Sequence, residues 1–145
     1  MAQPVDLDRF IQAQDPVFER VLEELGAGEK RSHWMWFVFP QLAGLGHSPM
    51  AQLYALASLE DARAYLAHPV LGARLIRCTE LVNAVQGRSI NRIMGSPDDM
   101  KLRSSMTLFT AAQSGVDPGS SPFQAVLDRY FEGRPDSLTL ELLAG

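Results

Sequence analysis

The chain is poor in the residues that staple or anchor small proteins. Its 145 residues include one cysteine, Cys78, which excludes an internal disulfide and any cysteine-based metal cluster. Histidine is scarce as well: only His33, His47 and His68 are present. None lies four residues from another and no His-Glu-x-x-His pattern occurs, so no metal site is expected. The longest unbroken apolar run, Trp34–Phe39, falls far short of the ~20 residues that cross a bilayer. The amino-terminal MAQPVDLDRF lacks a basic start followed by an apolar stretch, so no secretory signal is expected. Together these absences predict a soluble cytoplasmic protein with no membrane partner.

Positive charge is in deficit. Thirteen Lys and Arg stand against 17 Asp and Glu, for a net charge of −4. A duplex-binding protein normally carries a basic face, so duplex nucleic acid is not an expected partner. No Gly-Lys-Ser/Thr follows a glycine-rich loop, no Gly-x-Gly-x-x-Gly follows a strand, and no Gly-x-Ser-x-Gly elbow occurs. The common phosphate-loop, dinucleotide and serine-hydrolase signatures are thus missing, and no cofactor is expected.

What remains reads as helix. Four pairs, Asp15-Pro16, Ser48-Pro49, Ser96-Pro97 and Ser121-Pro122, combine a capping side chain with a proline that lacks the N–H a first helical residue would leave orphaned. Ser58 and Asp136 supply two further starts. Between them the apolar spacing is helical: Val17, Val21, Leu22 and Leu25, closed by Gly26 and Gly28; Ala62, Tyr65 and Leu66; Val70, Leu71, Leu75, Cys78, Leu81, Val82 and Val85, closed by Gly87. Met100, Leu102, Met106, Leu108 and Phe109 mark a helix to about Gln113, and Phe123, Val126, Leu127, Tyr130 and Phe131 another. No segment shows strand alternation between hairpin turns. The expected fold is mainly α, a single domain over residues 1–145 with seven or eight short helices. Ser114–Ser120 reads as a flexible flap.

His33–Phe39 is apolar on every side whichever period is applied. We expect a short helix capped by Ser32 and stopped at Pro40. Whether helix or strand, an all-round apolar segment is substantially buried. Both tryptophans lie in it, with Lys30, Arg31 and His33 leading in, so it reads both as core and as the wall of a site. Cations beside flat aromatic surface suit an aromatic, anionic ligand. Gly44 and Gly46, followed by His47 and the helix start at Ser48, can bare backbone N–H groups to an anion, or form a plain capped loop. On the helix after Ser96, Asp98, Lys101 and Ser105 share one stripe, and Asp99 and Arg103 are spaced as a surface ion pair. That helix offers Asp98 or Asp99 as a general acid or base and Lys101 or Arg103 as an anion clamp. It also reads as an ordinary capped helix with acids placed for the dipole. His68-Pro69 reads as a hinge or cap and Cys78 as core.

The stretches DRFIQAQDPVFERVLEELGAGEKRSHWMWFVFPQLAGLGHSPMAQLYAL, AYLAHPVLGARL and GSPDDMKLRSSMTLF resemble the bacterial family known as domain of unknown function 1810. The resemblance runs over nearly the whole chain. It implies a mainly helical, single-domain protein and brings neither an established activity nor assigned catalytic residues. The order of an aromatic segment, LASLEDARAYLAHP and a glycine-containing terminal helix also resembles the NADAR proteins, which are linked to ADP-ribose and to N-glycosidic bonds of nucleotide-like metabolites. No motif matches residue by residue, so no site carries over from them. The functional expectation joins Lys30–Trp36, Gly44–Ser48 and Asp98–Ser105 in one pocket for a small phosphate-bearing ligand. In its enzymatic form Asp98 or Asp99 activates water against an N-glycosidic bond. In its alternative form the module binds a ligand or a partner protein without catalysis.

Overall fold

Ser48, Ser58, Ser121 and Asp136 each accept a hydrogen bond from the backbone N–H three residues on and so open four helices as the sequence predicts. The computed structural model describes residues 6–113 and 117–145. Among these, the helices are α1 (Asp8–Gln14), α2 (Phe18–Gly26), α3 (Met35–Val38), α4 (Pro49–Leu53), α5 (Leu59–Ala67), α6 (Leu71–Ala84), α7 (Ile90–Met94), α8 (Asp98–Ala112), α9 (Pro122–Tyr130) and α10 (Ser137–Ala144). The count exceeds expectation by α1 and α7. Helix α7 has five residues, too few to show a period, although Ser89 caps it by accepting from Arg92 N–H. The expected flap at Ser114–Ser120 falls partly outside the described residues; Pro118–Ser120 form one 3-10 turn.

Two expected caps do not form. Asp15 turns its carboxylate to Arg74, 2.8 Å away, and α2 starts at Phe18 without a side-chain cap. The Ser96–Pro97 peptide is cis, α8 begins one residue later, and Asp99 Oδ1 accepts from Met100 N–H instead. Ser32 does not cap α3 either, because its hydroxyl donates to Glu24. The Trp34–Phe39 segment makes a single helical turn and then extends past Pro40, where Leu42 forms an isolated parallel bridge with Leu56.

Helix α8 is the centre of the molecule and packs against α5, α7, α9 and α10. Ser104 through Phe109 are all buried, which explains two adjacent serines in its middle: small side chains let neighbouring helices approach. Three of its hydroxyls show different solutions. Ser104 and Thr107 donate to carbonyls four residues back, whereas Ser105 Oγ has no partner. Through the core runs an aromatic chain from Phe10 to Tyr65, Phe109 and Phe123, with ring centres 5.1, 5.5 and 5.7 Å apart. Such tilted and edge-on pairs add about 0.5–1.5 kcal/mol each beyond area burial. Cys78 is part of this core, and burial pushes its thiol up to about 12 despite the opposing pull of Arg77 and Arg74. It is therefore an inert packing residue.

The α5–α6 corner is closed by His68, whose Nδ1 accepts from Val70 and Leu71 N–H at the start of α6. Gly72 permits this corner. A Cβ there would stand 2.0 Å from Leu66 O, a backbone atom with no room to move. Gly72→Ala is expected to destabilise the protein by roughly 2 kcal/mol through overpacking. A urea midpoint equal to wild type would show that the corner can open freely.

Candidate functional site

The site is organised by a residue that the expected set does not include. On α2, Val21 and Leu25 face the core, and Glu24 lies on the same buried face. Its carboxylate accepts from Arg31 N–H (2.7 Å), Ser32 N–H (3.0 Å), Ser32 Oγ–H (2.6 Å) and Trp34 Nε1–H (3.0 Å). Burial alone pushes this carboxyl up. The hydrogen bonds from Ser32, Arg31 and Trp34 outweigh it and hold the group down at about 2. One carboxylate thus fixes the 31–34 turn and answers the indole N–H of a tryptophan that is only 1% exposed. Trp34 is core.

With the turn fixed, Lys30 is directed inward. Its backbone N–H donates to Ile93 O (2.7 Å), and its Nζ donates to Ser32 O (2.6 Å) and meets Asp98 Oδ2 at 2.9 Å. The same ammonium lies 5.1 Å from the Trp34 ring centre. Lys101, one turn along α8, reaches Asp98 Oδ1 at 3.7 Å and lies 5.8 Å from the centre of the half-buried Trp36 ring. Asp98 therefore stands between two ammonium groups, each associated with one tryptophan. The Lys30 side chain is 7% exposed, that of Asp98 20% and that of Lys101 29%. Lys30, Lys101 and Asp98 sum to one positive charge, and the ionised Glu24, bonded to the same Ser32 and Trp34 that Lys30 contacts, balances it. Lys101, the most exposed of the three, is the group left for an anion in a partly desolvated setting, where attraction is stronger than at an open surface.

The side chains of the other residues named from the sequence make no hydrogen bond or ion pair with Lys30, Asp98 or Lys101 among the described residues. Arg31 is exposed and pairs with Glu29 at 3.0 Å. His33 is exposed. Asp99 accepts from Asn91 Nδ2 at 3.2 Å and from Met100 N–H. The expected Asp99–Arg103 ion pair does not form, because Arg103 Nε donates to Arg134 O at 2.9 Å. Ser105 is fully buried rather than on the polar stripe with Asp98 and Lys101. In the Gly44–Ser48 loop, Gly44 faces Leu142, Gly46 packs so tightly on Ala51 that a Cβ would stand 2.5 Å from it, and the His47 carbonyl accepts from Gln52. No hydrogen bond or ion pair among the described residues joins that loop to the cluster. Of the three segments expected to meet, the interactions join two.

A sequence signal for Glu24 does exist: it shares a helical face with Val21 and Leu25, and an acid on an apolar face requires partners. A second feature has no motif at all. An open cleft of about 610 Å³ is lined by Gly87, Arg88, Ser89, Ile90, Asn91, Arg129 and Tyr130. Asn91 in its lining donates to Asp99, the residue next to Asp98. Among the described residues, no group of three or more His, Cys, Asp or Glu side chains is placed to hold a metal ion, and no helix is long and apolar enough to cross a membrane.

Comparison with known proteins gives family and fold without an activity. No curated protein matches the chain. A crystal structure of the conserved hypothetical protein Rv1873 from Mycobacterium tuberculosis is similar, at 57% sequence identity over 99% of both chains with a TM-score of 0.93. The model of the family described as protein of unknown function (DUF1810) matches residues 4–143, and the chain belongs to that family.

Proposed function

We propose that the chain is a non-catalytic binding module for a small phosphate-bearing ligand with a flat ring, of nucleotide or ADP-ribose type, held at the Lys30–Asp98–Lys101 cluster beside Trp36. The observation that carries this reading is the convergence of two ammonium groups on one carboxylate against two tryptophans. Lys101, the more exposed ammonium, offers its donors to phosphate, and the accessible part of Trp36 offers a face for the ring. The resemblance to NADAR proteins points to the same ligand class. Binding is favoured over N-glycosidic hydrolysis because both carboxylates are engaged: Asp98 by two lysines, Asp99 by Asn91 and a backbone N–H. A carboxylate so occupied is a poor acceptor for a water proton.

Thermal-shift and tryptophan-fluorescence titrations with ADP-ribose, nucleoside diphosphates and inorganic phosphate test this. At a ligand concentration about a hundred times Kd, stabilisation of about 2.7 kcal/mol is expected, or roughly 5–10 °C in Tm. Lys101→Ala should remove the shift. Trp36→Phe should remove the fluorescence response, because Trp34 is enclosed. Failure of all these compounds to shift the wild type would sink the proposal, and release of a free base or of nicotinamide from a nucleotide would restore the hydrolytic reading.

A further inference from the structure

We infer that a second surface, formed where α9 meets the α6–α7 connection, binds single-stranded nucleic acid. The large cleft lined by Arg88, Arg129 and Tyr130 and a smaller one lined by Arg103, Tyr130, Phe131, Glu132 and Arg134 are neighbours that share Tyr130. We read the two as one track with that aromatic residue at its middle. Its hydroxyl donates to Val82 O at 2.7 Å, which fixes the ring. Arg129 lies 5.5 Å from the Tyr130 ring centre and Arg103 5.7 Å from that of Phe131.

The charge on this track is uncommitted. Arg129 donates to Val85 O (2.6 Å), Arg103 to Arg134 O (2.9 Å), and Arg88 lies 3.5 Å from Gly28 O. These carbonyls orient the guanidiniums without neutralising them, and among the described residues none of the three has a carboxylate partner; only Arg134 does, Glu132 at 3.6 Å. A guanidinium has five N–H donors, so each of the three keeps most of its donors for an anion. Arg9, Arg20, Arg77 and Arg92 also lack a carboxylate partner among the described residues. What is particular to Arg88, Arg103 and Arg129 is that they line neighbouring clefts together with Tyr130 and Phe131. Both clefts are wide open, whereas small ligands are usually enclosed over most of their surface. An extended polyanion fits better. The interleaved rings select among polyanions: unpaired bases stack on aromatic side chains, while the bases of a duplex are already stacked on one another.

Fluorescence anisotropy with a labelled twelve-nucleotide oligo-dT and oligo-U, against a duplex of equal length, tests the inference. Three phosphate contacts predict a salt slope of about −2, or roughly an 18-fold loss of affinity between 50 and 200 mM salt. The double variant Arg103→Ala/Arg129→Ala should weaken binding about tenfold or more and flatten the slope by about 1.4. Tyr130→Leu should cost about fivefold or more at unchanged slope, and Tyr130→Phe, which keeps the ring, much less. Arg88→Gln, at an exposed position, repeats the charge test if the double variant is misfolded by circular dichroism. Three results would overturn the inference: no strand binding at 50 mM salt, arginine variants that bind like wild type, or polyglutamate and duplex competing as well as the single strand.

Discussion

Glu24→Ala is expected to lower the unfolding free energy by about 3–4 kcal/mol, a large part of the roughly 5–15 kcal/mol that holds a domain together. The substitution removes the acceptor of four hydrogen bonds at once. The Trp34 indole N–H is left buried without a partner, and such orphaned donors cost about 1–3 kcal/mol each. The 31–34 turn also loses its anchor, so Lys30 should lose its approach to Asp98. Glu24→Gln is the sharper variant: an amide keeps the shape but loses the charge and one acceptor position, and about half the effect is expected. Urea unfolding at pH 7 measures both. A loss under 1 kcal/mol for the alanine variant would mean that water replaces the carboxylate.

The same group makes stability depend on pH with a definite sign. Glu24 titrates at about 2 in the folded protein and near the ordinary 4.5 once unfolded. Its contribution is complete above pH 4.5, declines as pH falls from there toward 2, and is gone below both values. The shift corresponds to about 3 kcal/mol. Wild type should therefore lose more stability than Glu24→Gln between pH 5 and pH 2.5, and parallel curves would remove Glu24 from the account.

Phe109→Ala is expected to cost about 4 kcal/mol. Phe109 is fully enclosed on α8 and touches Tyr65 on one side and Phe123 on the other. Truncation breaks the aromatic chain in the middle and leaves a cavity between α5, α8 and α9. The surrounding helices hold one another in place, so the void can collapse only partly. Phe109→Leu, which fills most of the volume, should recover more than half of the loss. Equal denaturation midpoints for the two variants would show that the site relaxes around a small side chain.

Helix content was legible because it rests on short-range chemistry. Ser48, Ser58, Ser121 and Asp136 act on a backbone N–H three residues away, and the apolar stripes of α2, α6, α8 and α9 report a period of 3.6 whatever they pack against. Of the caps that fail, Asp15 is overridden by a long-range demand, Arg74 fifty-nine residues on, and Ser32 by Glu24 on the preceding helix; Ser96 makes no side-chain cap bond. The tryptophan segment stayed divided between core and wall because its composition is apolar on all sides. Tertiary packing divides the two rings, one enclosed against Glu24 and one half open beside Lys101.

The sequence by itself determined that this is a helical chain, where most of its helices begin, and that Lys30, the two tryptophans and Asp98 are unusual residues. Only the tertiary structure decided how charge is spent. Asp98 and Lys101 share a helical face in the sequence, but the partner that joins them is Lys30, delivered by a turn that Glu24 holds from another helix. Arg88 and Arg129 look like ordinary surface arginines in the sequence, and Arg103 reads there as an anion clamp or as the partner of Asp99. What sets them apart is that the fold gathers them around Tyr130 and Phe131, and such gathering depends on distances across the fold that no local pattern encodes.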